Sequence, residues 1–542
     1  MSRIARLTLA AGTFAWLAGA CGGEDSGSPT PTLPPGQSAT PASTNSSPVS
    51  GSVIDLASHK PATAIWGADA GDYLNDLPAL DTGDVNGDGR DDLLIGARFG
   101  DGPENGRKDS GEAYLMLGRA RLPEVVDLAA GDADVTIYGA AKNDQLGFTG
   151  MLHDINGDER ADVILAAPFA PRTDNRAQAG AVYVIFGRDD FSELGDTIDL
   201  ADGGANLVLT GVEGSSFFGD SVAAGDVNGD RVDDLIVGAT FTRRPASGEN
   251  PQAQAGAVYA VFGSKKLTGT RDMAAGEFDV VVYGENDEPH QDELGDTVAA
   301  GDINGDGLAD IVMTAEAADG PDNARSVAAE VHVVYGARDL KGVFDIARGD
   351  QDLTVWGADE NDTLGFNLSV ADLDGDGVSD LIMSARGGDG PENRFGEAGE
   401  VYVVYGRDDL PDTIDLAKAG SDIALHGNRS ADMAAYALGV ARSDGGGVEL
   451  YVGTGFSDGP LSQRREGGEV VFIRAADLAD GPLSLHASLV IYGAQTGDMA
   501  GGAVATGDLD GDGKLEVIVL AVGGDGPDDK RVDAGEIVIL KP

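Results

Sequence analysis

The chain has a single cysteine, Cys21, in 542 residues, which excludes an intrachain disulfide and any cysteine-based metal site. Positive charge is scarce. Lys and Arg number 37 against 92 Asp and Glu, for a net charge of −55. Phosphate backbones are repelled by such a surface, so no nucleic-acid partner is expected. Partners that are cationic, or bridged through bound cations, fit better. Aromatics make up only 6%, and the six histidines at 59, 153, 290, 332, 426 and 486 form no pair at metal-ligand spacing. Beyond residue 20 no apolar run approaches the roughly 20 residues that span a bilayer. Glycine, by contrast, is abundant at 81 residues. Each interior glycine weakens a helix by about 1 kcal/mol relative to alanine, which argues against a helical bundle. The 42% hydrophobic content still suffices for a large core.

The first 20 residues are unlike the rest. Arg3 and Arg6 precede an apolar stretch, Leu7 to Ala18, too short to span a membrane, and Ala18, Gly19 and Ala20 lead into Cys21. This resembles a bacterial lipoprotein signal, which implies cleavage at residue 20 and a lipidated Cys21. The usual leucine three residues before the cysteine is here Ala18, with Leu17 one step earlier. The alternative is plain secretion with a free thiol. Either way the expectation is an exported chain. If anchored, it sits at the bacterial cell envelope or surface and touches membrane only through its lipid. Residues 21–52, rich in Ser, Thr, Pro and Gly, are expected to form a disordered tether. It reaches up to ~90 Å when extended.

From residue 53 to 542 the sequence repeats. The segment Asp84-Val-Asn86-Gly-Asp88-Gly-Arg90-Asp-Asp92 returns from Asp154, Asp226, Asp302, Asp372 and Asp508. A seventh copy, Ala441 to Glu449, keeps the frame but loses most acids. Each unit of about 70 residues carries four short runs rich in β-branched and aromatic residues, bounded by Gly, Asp and Pro. Strands are expected, named A to D, with the acidic loop joining A to B. Four short strands repeated seven times predict an all-β, seven-bladed propeller of four-stranded blades. The last unit stops at its C strand, and an orphan D-type segment, Ala64-Ile-Trp-Gly67, precedes the first A strand. The N-terminal strand is therefore expected to complete the last blade and close the ring, which removes exposed edges.

The run Gly-Asp-x-Asn-Gly-Asp-Gly-x-x-Asp-Leu, an apolar strand, then Gly-Ala, as at Gly96-Ala97 and Gly238-Ala239, resembles the FG-GAP repeat. Its Phe-Gly or Leu-Gly half stands at Leu146-Gly147-Phe148, Phe218-Gly219, Leu294-Gly295 and Leu364-Gly365-Phe366. That repeat builds the seven-bladed propeller at the head of integrin α chains and many bacterial surface proteins. The resemblance spans roughly residues 53–542 and speaks to fold more than to role.

Oxygen ligands at positions 1, 3, 5 and 9 of a tight loop, with a backbone carbonyl from position 7, suit a hard cation such as Ca²⁺. Six candidate sites follow. They are Asp84, Asn86, Asp88, Arg90, Asp92; Asp154, Asn156, Asp158, Arg160, Asp162; and Asp226, Asn228, Asp230, Val232, Asp234. Continuing the series are Asp302, Asn304, Asp306, Leu308, Asp310; Asp372, Asp374, Asp376, Val378, Asp380; and Asp508, Asp510, Asp512, Lys514, Glu516. Strands flank these loops and position 12 is Ile95 in the first, so they are not EF-hands. Glu159 and Arg231 replace glycine at position 6, which predicts weaker or differently bent loops. The Ala441 loop is expected to bind nothing. The ions are expected to be mainly structural, since three close carboxylates repel one another without a cation.

A second acidic motif fills the B–C loops, as at Asp101-Gly-Pro-Glu-Asn105, Asp319, Asp389 and Asp525, on the face opposite the A–B loops. It reads as turn chemistry or as an acidic recognition surface. Arg348-Gly-Asp350 aligns with Ala130-Gly-Asp132 and reads as a chance tripeptide. Gly455-Phe-Ser457-Asp-Gly459 fits a nucleophile-elbow pattern but lacks the helix that pattern needs. The expected function is a rigid, monomeric surface module for binding or adhesion to an unidentified protein or glycan. The alternative is a polysaccharide-active enzyme, whose catalytic groups would break the repeat near Arg243-Arg244-Pro245 and Glu288-Pro289-His290-Gln291.

Overall fold

The computed structural model describes residues 51–541 except 75–78, 172–176, 245–253, 286–290, 419, 428, 443–446, 461–462 and 527–529. The signal segment, Cys21 and the tether up to residue 50 lie outside the described residues. Seven β-sheets are built from consecutive units, as the repeat predicts. In blade 1 the A strand is Leu80–Gly83, B is Asp92–Ala97, C is Glu112–Met116 and D is Val135–Tyr138, all antiparallel neighbours. The B strands of blades 1 to 5 are buried along their whole length. Apolar runs without alternation are what a central strand covered on both faces requires.

The blades have five strands, not the four expected. The extra strand comes from the C–D connection of the next unit. Thr197–Asp199 of unit 2 runs parallel to the D strand of blade 1. Gly269–Asp272, Gly342–Asp345, Thr413–Asp415 and Gly481–Pro482 do the same for blades 2 to 5. The chain's start serves the last two blades. Ser52–Asp55 flanks the D strand of blade 6, and Thr63–Trp66 lies antiparallel to Glu536–Leu540 in blade 7. Val125–Asp127 of unit 1 then flanks Thr63–Trp66. The short fifth strand was hidden because three residues such as Thr-Ile-Asp carry no readable period.

The core lies between neighbouring blades. Leu94, Leu115 and Ile137 of blade 1 pack against Val163, Leu165 and Ala181 of blade 2, and clusters of the same kind sit at the boundaries up to blades 6 and 7. The two halves of the repeat motif meet there. A methyl group on Gly96 of blade 1 would come within 2.6 Å of the Gly147 carbonyl of blade 2, so only glycine allows the approach. Among the described residues no helix is long and apolar enough to cross a membrane.

Candidate metal centres

All six acidic loops adopt one shape. The position 1 carboxylate accepts N–H bonds from inside its own loop. Asp84 takes Gly87 and Gly89 at 2.6 and 2.8 Å, and Asp372 takes Gly375 and Gly377 at 2.6 and 3.0 Å. Position 5 accepts the position 7 N–H in every loop, as Asp88 does from Arg90 at 3.0 Å and Asp376 from Val378 at 2.8 Å. Glu159 and Arg231 take the same left-handed conformation as the glycines, at φ 70° and 74° beside 82° for Gly89. Those two loops are therefore not bent differently. They carry instead a backbone strain of about 1–2 kcal/mol each.

In blades 5 and 7 the structure brings positions 1, 3 and 5 together. One oxygen each from Asp372, Asp374 and Asp376, and from Asp508, Asp510 and Asp512, lie within 4.8 Å of one another. In blades 2, 3 and 4 position 3 is asparagine, and Asn156, Asn228 and Asn304 donate to the position 9 carboxylates Asp162, Asp234 and Asp310 at 2.8, 2.9 and 3.3 Å. Position 9 sits beneath the loop, at the start of the B strand. Its carboxylate receives the position 2 N–H and the N–H of the glycine two residues past strand C. For Asp92 these are Val85 at 2.9 Å and Gly118 at 2.8 Å. Burial pushes Asp92, Asp162, Asp234 and Asp310 up to about 7, and the acids at positions 1 and 5 add to the effect. An oxygen-only donor set of crowded, partly buried carboxylates fits a hard divalent cation. Blade 7 differs: the Lys541 ammonium contacts Asp510 and lies 3.8 Å from Glu516.

The opposite end of the wheel carries residues that sequence reasoning missed. An arginine six residues after the B–C loop aspartate grips the end of the next unit's flanking strand. Arg107 holds Asp199 through two 2.8 Å bonds, and Arg531 holds Asp127. Arg325 pairs with Asp415 at 2.7 Å and Arg464 with Asp55 at 2.7 Å. The Arg325 bond, with Lys418 alongside, holds Asp415 down at about 2. Each arginine also donates to the carbonyl after its D strand, as Arg531 does to Gly67 at 2.9 Å. Blade 5 has Phe395 instead, stacked on His426 at 6.4 Å, and its flanking strand ends in Pro482. The constant spacing of Asp101–Arg107, Asp319–Arg325, Asp458–Arg464 and Asp525–Arg531 was the available signal.

The B–C aspartates tie their own loops. Asp101 accepts the Asp109 N–H at 2.8 Å and Asp389 the Glu397 N–H at 2.7 Å. Glu104, Asp322 and Glu392 remain exposed. Asp350 accepts the Asp345 N–H at 3.0 Å, as Asp132 accepts that of Asp127 at 2.9 Å, so the Arg-Gly-Asp tripeptide belongs to a repeated turn. Ser457 is buried in a B–C turn. Arg243 pairs with Glu213 at 3.0 Å, and Arg244 with Asp345. Pro245 and Glu288 to His290 lie outside the described residues.

Five stretches match the FG-GAP repeat model: residues 78–116, 147–185, 218–261, 294–329 and 364–404, one in each of blades 1 to 5. The chain thus carries five FG-GAP repeats within a seven-bladed β-propeller, and it is homologous to integrin α chains over 35–44% of its length. It is 31% identical over 244 residues to integrin alpha pat-2 of Caenorhabditis briggsae, covering 44% of this chain and 17% of that one. It is 29% identical over 234 residues to human phosphatidylinositol-glycan-specific phospholipase D, covering 42% and 25%. The Dictyostelium discoideum phospholipase D of the same name is 26% identical over 366 residues, covering 63% and 36%. The chain spans about a quarter or less of the length of the mammalian relatives. A solved chain from the crystal structure of BBS1N in complex with ARL6DN aligns at a TM-score of 0.41 and 10% identity, covering 88% of this chain and 93% of that one.

Proposed function

We propose that this protein is an exported, calcium-binding β-propeller that acts as a surface binding or adhesion module. It binds Ca²⁺ in up to six A–B loops, mainly to hold the loops in shape, and Cys21 is its lipid anchor. The observation that carries the reading is the single loop geometry, repeated six times with oxygen donors at the same positions. Similarity to both an integrin and a phospholipase D supports a module over an enzyme, because the matched part is a minor share of each relative. The engagement of Arg243 and Arg244 by Glu213 and Asp345 argues the same way for the irregular blade 3, since both cations are already neutralised.

Calorimetric titration of the chelated protein with Ca²⁺, followed by glycan-array and envelope pull-down assays with and without Ca²⁺, tests this. The expected result is saturable Ca²⁺ binding near six ions and a ligand retained only in Ca²⁺. No bound ion would overturn the metal reading. Turnover of a polysaccharide by the purified chain would overturn the module reading.

A further inference from the structure

The acidic loops touch one another. In blades 1 to 5 the side chain at position 7 of the loop lies over the position 4 glycine of the loop before it. A methyl on Gly157 would lie 3.0 Å from Val232, on Gly229 2.7 Å from Leu308, and on Gly305 3.2 Å from Val378. Arg160 covers Gly87 and Arg90 covers Gly511 in the same way, at 3.1 and 3.0 Å. At four of the five junctions a backbone bond doubles the contact. The position 8 N–H of one loop donates to the position 1 carbonyl of the preceding loop: Asp91 to Asp508 at 3.0 Å, Ala161 to Asp84 at 2.9 Å, Ala309 to Asp226 at 3.0 Å, and Ser379 to Asp302 at 2.7 Å.

These links join the loops of blades 7, 1, 2, 3, 4 and 5 in that order. Blade 6 interrupts the series. Its position 7 is Gly447, which has no side chain, and a methyl on Gly375 of blade 5 would meet no described atom within 4 Å. The closed wheel therefore carries an open chain of loops. Its two terminal loops, in blades 5 and 7, are those with aspartate at position 3, Asp374 and Asp510.

We propose that the position 7 side chains are positioning residues that couple neighbouring loops, so that Ca²⁺ loads the series from blade 7 to blade 5 cooperatively. This rests on the reading that the loops bind Ca²⁺. An ion fixes position 7 of its own loop. Positions 7 and 8 then hold positions 4 and 1 of the preceding loop, so the next ion finds its site already ordered. The coupling is reciprocal, since each ion raises its neighbour's affinity by the same factor.

The test is a calorimetric Ca²⁺ titration of the full chain in about 0.15 M KCl, where screening over ~8 Å limits repulsion between ions. Leu308→Ala and Val378→Ala shorten the cover and leave the backbone carbonyl in place. Wild type is expected to bind six ions with a Hill slope above one, from coupling of about fivefold per contact. The two variants together should still bind six ions, with the slope falling toward one. Any loss of melting temperature should be the same in chelator and in Ca²⁺ with the transition still cooperative, which separates lost coupling from lost folding. Six ions bound with a slope of one in wild type, or an unchanged slope in the variants, would overturn the coupling alone. No ion bound would overturn the calcium reading with it.

Discussion

The two ends of the wheel are both acidic, and they neutralise that charge differently. At the B–C end, Arg107, Arg325, Arg464 and Arg531 each hold the aspartate that ends the fifth strand another unit lends to the blade. At the A–B end, carboxylates at positions 1, 5 and 9 share a loop in six blades, and the nearby cations, such as Arg90 beside Asp88 at 3.1 Å, are too few to match them. One end carries its own counter-ions, covalently placed and always present. On the proposed reading the other end takes its counter-ions from outside, so its order would follow their concentration.

Chelation is the largest way to break this contrast. At about 1 mM Ca²⁺ and dissociation constants of 10⁻⁴–10⁻³ M, each filled site adds roughly 0.4–1.4 kcal/mol. Six sites in a chain this long correspond to a melting temperature about 2–8 °C lower in chelator. Scanning calorimetry with and without EDTA reads it. An unchanged midpoint would mean that the A–B end needs no external cation.

The B–C end should respond to its own arginines instead. Arg531→Met removes a paired guanidinium that also holds the Gly67 carbonyl, at the junction where the chain's two ends share a blade. The expected loss is about 1–2 kcal/mol, or about 1–2 °C in melting temperature, the same in Ca²⁺ and in EDTA. A loss confined to Ca²⁺-loaded protein would place the latch in the wrong system.

Burial of a carboxylate with no cation beside it is costly at this end too: among the described residues the Asp362 carboxylate accepts only the Asp359 N–H, at 3.2 Å. Asp362 lies in the D–A loop before blade 5 and is buried. Desolvation first, then Glu400 and Asp359, push it up to about 7. A carboxyl raised in the folded state stays protonated where the unfolded chain has already ionised. Its contribution to stability is intact below the usual value of 3.8 and is lost as pH rises toward 7. Asp362→Asn should therefore raise the melting temperature by about 1–3 °C at pH 8 and leave it unchanged at pH 4. A pH-independent change would refute the protonation argument.

The repeat length, the acidic loops and the B strands were legible because each signal recurs at a fixed offset, and recurrence averages out local ambiguity. The fifth strand was not legible. Thr413-Ile-Asp415 pairs in parallel with a strand of another unit, and no local pattern encodes a partner about 60 residues away. The expected different bend at Glu159 and Arg231 failed for another reason. Their N–H groups donate to the Asp154 and Asp226 carboxylates at 2.7 and 2.8 Å, which holds them in a conformation their side chains disfavour. Such an enforced bend cannot be inferred from residue type alone.

Lys541 gives the smallest and sharpest test, because it puts the B–C strategy at the A–B end. Its ammonium contacts Asp510 and approaches Glu516 at 3.8 Å, positions 3 and 9 of the blade 7 loop. An ion entering that loop must displace it or share the carboxylates with it. Lys541→Met keeps the chain's bulk and removes the charge, so the blade 7 loop should take Ca²⁺ about three- to tenfold more tightly, worth roughly 1 kcal/mol. Blades 1 to 5 have no lysine in this role among the described residues, so their binding should change only through the proposed coupling, most in blade 1 and less with each loop beyond it. A gain that is largest in blade 7 and fades along the series would show that an internal cation and an external one compete for the same oxygens. A uniform shift of every step would instead report only the change in net charge.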